Sequence, residues 1–105
     1  MRKIEMFKEN GFKDKAFSML LVHESPDFKI INFNFKAGQC LPVHAHDLDG
    51  QVSIAIIEGE GEFLAENDQA MPAHTGDVLV CDIRVPHGVR ATTDMRVLVH
   101  IAPPI

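Results

Sequence analysis

Cysteine is scarce in this sequence. Cys40 and Cys81 stand alone among 105 residues and show no CxxC spacing. That excludes a disulfide framework and leaves one possible bridge, between the two of them. Two unframed thiols suit a reducing compartment. Positive charge is also in deficit. Ten Lys and Arg stand against fifteen Asp and Glu, a formal net charge of -5. With no basic cluster beyond scattered N-terminal lysines, nucleic acid is excluded as the expected partner. No apolar run approaches the length of a membrane span. The opening stretch MRKIEMFKENGFKDK is charged and has no apolar h-region, so it does not read as a signal peptide. A cytoplasmic protein without a membrane partner is therefore expected. Internal repeats and low-complexity linkers are missing too, so residues 1–105 are expected to form one domain.

What is present is hydrophobic residues, 46% of the chain, enough for a core without disulfides. The helical signal is confined to residues 4–9, stopped by Gly11. The rest reads as short strands between turn signals. Residues 16–23 are apolar, and Ser25-Pro26-Asp27 turns. Residues 28–36 alternate, with Ile31, Phe33 and Phe35 on one face and Asn32, Asn34 and Lys36 on the other. The extended stretch 40–46 leads through DLDG into a strand at 51–57. A glycine-marked turn EGEGE follows at 58–62. Residues 63–66 and 70–73 read as a hairpin around Asn67-Asp68. Further strands are expected at 78–81, 89–92 and 96–102, ended by Pro103-Pro104. Many short strands at near-regular spacing predict an all-β sandwich or barrel.

Within this pattern, His44 and His46 are two residues apart in an extended stretch, so their imidazoles share a face. Two neutral imidazoles on one face can share a divalent cation, although a lone His-x-His on a strand usually marks nothing. Gln51 opens the next strand, where its amide oxygen would lie beside the pair. A further ligand must come from elsewhere in the chain, and His23, His74, His87 and His100 are available.

The spacing of these residues resembles the cupin superfamily. Gly38, five residues, His44-Ala45-His46, four residues, Gln51 and then Gly59 are similar to its first motif, here residues 38–59. Gly76-Asp77 and His87, eleven positions after that glycine, are similar to the second, here residues 76–91. The resemblance implies a double-stranded β-helix, or jelly-roll barrel, over the whole chain. It also implies one divalent transition metal (Mn, Fe, Ni, Zn or Cu) held by His44, His46 and His87, with Gln51 at the position of the motif's glutamate. There are departures. Seven residues rather than about six separate Gln51 from Gly59. Asp82 and Arg84 fill the second motif's proline and glycine positions, and Ala91 that of its asparagine. Asp47 or Asp49 are the alternatives for the fourth ligand.

Other residues carry weaker expectations. His100 would share a side with Leu98 and either line the interior as an acid or base or be a structural histidine. Cys40 has the parity of His44, provided Pro42 leaves the strand register undisturbed; a buried inert thiol is the simpler reading. Ile31, Phe33 and Phe35 are expected in the core or a dimer interface. The run Met19 to Val22 suits a strand covered on both faces, as where subunits meet, and the resemblance implies a homodimer. Two functions follow: a metal-dependent enzyme acting on a small anionic metabolite such as a sugar acid or keto acid, by dioxygenase, isomerase or lyase chemistry, or a non-catalytic cupin that binds or senses a small molecule or metal.

Overall fold

The computed structural model describes all of residues 1–105. After a one-turn helix α1 (Met6–Glu9) the chain forms nine strands: β1 (Ser18–Glu24), β2 (Lys29–Phe35), β3 (Cys40–His44), β4 (Gln51–Glu58), β5 (Gly61–Leu64), β6 (Ala70–Ala73), β7 (Val78–Asp82), β8 (His87–Ala91) and β9 (Met95–Ala102). They lie in two antiparallel sheets, ordered β1-β2-β9-β4-β7 and β3-β8-β5-β6. This is the expected all-β jelly roll. Asn67 and Asp68 both have positive φ, 60° and 58°, the backbone of a tight turn whose twist matches the flanking strands, and β5 and β6 pair across it.

Alternation decides what each strand buries. Ile31, Phe33 and Phe35 of β2, Val52, Ile54 and Ile56 of β4, and Val97, Val99 and Ile101 of β9 face inward. They meet Phe63, Val89 and Ala91 of the opposite sheet in one continuous core. Burying each large side chain contributes about 1.5–3 kcal/mol.

The outer face of β2 is the surprise. Asn32 and Asn34 are fully buried there, because the N-terminal segment crosses over them. Asn10 donates to Asn32 Oδ1 at 2.7 Å, and Ser18 donates to Asn10. Asn32 in turn donates to Asn34 Oδ1 and to the Val97 carbonyl, and Asn34 to the carbonyls of Asn10 and Gly11. Arg96 lies over the rings of Phe7 and Phe12, 4.2 and 4.9 Å from their centroids, and pins the same segment.

The two cysteines are free thiols in different sheets. Met19 and Leu21 are exposed on edge strand β1, so within this chain that strand is not covered on both faces.

Candidate metal centre

At one end the sheets part around a cavity of about 360 Å³. His44, His46 and His87 all line it. His87 opens β8 in phase with Val89 and Ala91, and is 4% exposed. His44 ends β3 directly opposite it, with ring centroids 4.6 Å apart. His46 follows on the loop, 5.4 Å from the His44 ring and nearly perpendicular to it. Its main-chain N–H donates to the Ile83 carbonyl, while the Ile83 N–H donates to Gly50. The two loops that frame the site are stitched together in this way.

A bulge brings His44 in. Leu41 pairs with Val89 and faces the cavity; strict alternation would then turn His44 outward. The register of β3 shifts between Leu41 and His44, so both line the cavity. The bulged segment rests on Gly88, where a Cβ would lie 2.6 Å from the Leu41 carbonyl oxygen and 2.9 Å from the Val43 nitrogen. Glycine is therefore required beside His87. Cys40, by contrast, pairs with exposed Arg90 and does not line the cavity. Pro42 and Val43 do disturb the register, which removes the shared parity with His44.

Hydrogen bonds fix the two paired rings. His44 Nδ1 is 2.9 Å from the Pro42 carbonyl oxygen, and His87 Nδ1 is 2.6 Å from that of Val85. A carbonyl can only accept, so each Nδ1 carries a proton, and in the neutral ring Nε2 keeps its lone pair. Burial pushes the His87 pKa below its ordinary 6.5, the Val85 hydrogen bond works against this, and charge on His44 and His46 lowers it further. His87 is thus neutral at pH 7. As the rings stand, no three His, Cys, Asp or Glu side chains converge on one point. The donor chemistry fits a divalent metal: three imidazoles, two of them with Nδ1 already anchored to a main-chain carbonyl, as metal-ligating histidines usually are.

The expected fourth ligand is not among them. Gln51 is exposed and pairs with Asp82 and Ala102, while its neighbour Val52 points inward with Ile54 and Ile56. The seven-residue separation from Gly59 explains this. One extra residue puts Gln51 on the wrong side of the pleat and Val52 on the right one. Asp47 and Asp49 do not replace it: both are fully solvent-facing and bound by Arg84. His100 also departs from expectation. It is exposed on the outer face of β9, between inward-facing Val99 and Ile101, and so neither lines the cavity nor is buried. His74 is exposed between Glu60 and Asp77, and His23 stacks on Phe28 in β1. One polar cavity residue escaped the sequence reading: Lys29. Its signal was the phase it shares with Ile31, Phe33 and Phe35.

Residues 32–101 match the family model for the cupin domain. This chain belongs to the cupin family. An RmlC-like cupin from Desulfovibrio desulfuricans is 54% identical over 100% of this cupin and 99% of its own chain, with a TM-score of 0.96. Ectoine synthase from P. lautus (19% identity, TM-score 0.75) aligns over 99% of this cupin and 80% of its own chain. Salicylate 1,2-dioxygenase from Pseudoaminobacter salicylatoxidans (15% identity, TM-score 0.73) aligns over 87% of this cupin and 26% of its own chain. These two likenesses concern the fold alone. No curated protein matches this cupin.

Proposed function

We propose that this cupin binds one divalent transition metal on His44, His46 and His87 and acts on a small anionic metabolite held in the adjoining cavity. The observation that carries the reading is the pair His44–His87, whose Nδ1 atoms are both committed to backbone carbonyls beside the cavity. Mn, Fe, Ni, Zn and Cu all accept imidazole nitrogen. Three neutral ligands would leave the ion's full charge uncompensated, which favours an anionic ligand. A bound ion would supply Lewis-acid polarisation of a carbonyl or carboxylate oxygen. The chain's own residues do the rest: Leu41, Val52, Ile54 and Ile83 exclude water, and the two anchored rings hold their orientation.

A second reading is favoured by one observation. Apart from the three histidines and Lys29, the cavity is lined only by hydrophobic residues, with no Asp, Glu, Tyr or Ser to move a proton. That suits a non-catalytic module that binds or senses a small molecule. The homodimer belongs to the same proposal: Met19 and Leu21, 59% and 50% exposed on edge strand β1, offer apolar surface that a second copy would cover.

Metal analysis of untagged protein, beside a His44→Ala control, tests the centre. About one equivalent of one metal, lost in the control, is expected. Absence of metal after reconstitution with each of the five ions would overturn it. Conversion of a bound ligand, or its recovery unchanged, separates enzyme from binding module.

A further inference from the structure

We infer that Lys29 is the specificity-determining residue of the cavity, a fixed cation that selects a carboxylate carried on an apolar body. The inference rests on reading the cavity as a small-anion site, and narrows the ligand away from polyhydroxylated sugar acids.

Lys29 opens β2 in phase with the core residues Ile31, Phe33 and Phe35. It pairs with Ile101, which pairs with Val52, and both of those line the cavity. The lysine therefore enters an apolar layer where nothing in the strand pattern calls for a charge. Of thirteen lining residues nine are hydrophobic, and the other four are Lys29 and the three histidines. A sugar acid entering this space would leave water's hydrogen bonds and find few replacements. A hydrocarbon body would lose nothing.

The Lys29 side chain is only 20% exposed. It has three N–H donors. One meets Glu24 Oε2 at 3.3 Å and another the main-chain oxygen of Ile105 at 3.1 Å. Ile105 is itself a lining residue. One donor remains. The Glu24 side chain is 53% exposed, and its pairing is weakened by water. It is a competitor that a ligand carboxylate can displace. The rival account is that Lys29 merely ties Ile105 and Glu24 together, and the two accounts differ in what they require of ligand charge.

The test uses protein stripped of metal by chelation, so that no ion contributes to anion binding. Hexanoate, hexanamide and gluconate are titrated calorimetrically. Wild type is expected to bind hexanoate at least about tenfold more tightly than hexanamide, and gluconate undetectably. Lys29→Met should abolish the preference for the acid. Glu24→Gln keeps the lysine and removes its competitor, so it should tighten hexanoate and leave hexanamide unchanged. Equal binding of acid and amide, binding of neither, or tighter binding of gluconate would overturn the inference. Should Lys29→Met fail to fold, Glu24→Gln decides alone: unchanged or weaker hexanoate binding sinks the idea. Metal content of the same batch before chelation is scored separately. Metal without acid preference removes the role of Lys29 alone; acid preference without metal removes the metal centre alone.

Discussion

His44 and His87 are direct partners across β3 and β8, and each donates its Nδ1–H to the carbonyl two residues earlier in its own chain segment. The symmetry makes them a unit. Replacing His87 by Ala removes one Nε2 and the neighbour of the other ring, so metal binding should be lost rather than weakened. Gln51→Ala should retain about one equivalent, because Gln51 stands outside the cavity. Elemental analysis of both untagged variants checks this. Metal loss in Gln51→Ala as complete as in His87→Ala would show that the three-imidazole donor set is wrong.

Gly88 links the backbone to this pair. A methyl group there would push against the Leu41 carbonyl, Val43 and Pro42, none of which is a flexible side-chain end. Gly88→Ala should therefore cost about 1–3 kcal/mol of stability. It should also lower metal affinity, because the displaced bulge carries His44. Chemical denaturation and metal titration measure the two effects. Intact affinity in a destabilised variant would mean that the bulge does not position His44.

The sheet pattern was legible from β-branched and apolar alternation and from turn residues. The hairpin at Asn67-Asp68 is an example, because positive φ there needs residues that tolerate it. The three cavity histidines were legible only through their spacing in two motifs. What failed did so for one physical reason. A strand's side-chain period is two, so a single inserted residue reverses the face. The bulge at Pro42-Val43 released Cys40 from the cavity and brought in His44. The extra residue before Gly59 exchanged Gln51 for Val52. Neither shift leaves a mark in composition. The burial of Asn32 and Asn34 was hidden for another reason: their cover comes from residues 7–12, distant in sequence and without strand periodicity.

That cover makes a prediction of its own. Asn32→Leu keeps the branched shape of the side chain but strands the Val97 carbonyl, Asn34 Oδ1 and the Asn10 amide. Removing one partner from a buried network leaves the others desolvated and unpaired, so a loss of about 2–4 kcal/mol is expected. The N-terminal segment should loosen first, giving faster amide exchange at β1 and β2 than at β4. Equal stability to wild type in urea would mean that the segment is not held by this network.

Acid should destabilise the metal-free protein through His87. Its folded pKa lies below 6.5, chiefly because burial disfavours the imidazolium, with charge on His44 and His46 adding to the effect and the Val85 hydrogen bond opposing it. The unfolded chain thus takes up this proton more readily than the folded one. The contribution is fully present above the unfolded value of 6.5 and is lost as pH falls toward the lower folded value. Urea midpoints of chelated protein should accordingly decline as pH falls through 6.5 and below, and His87→Gln should flatten that limb. With metal bound, the same protons compete with the ion for Nε2, so acid should release it over the same range. A His87→Gln variant with an unchanged acid limb would assign the pH dependence to other groups and leave the neutral, metal-ready state of His87 without support.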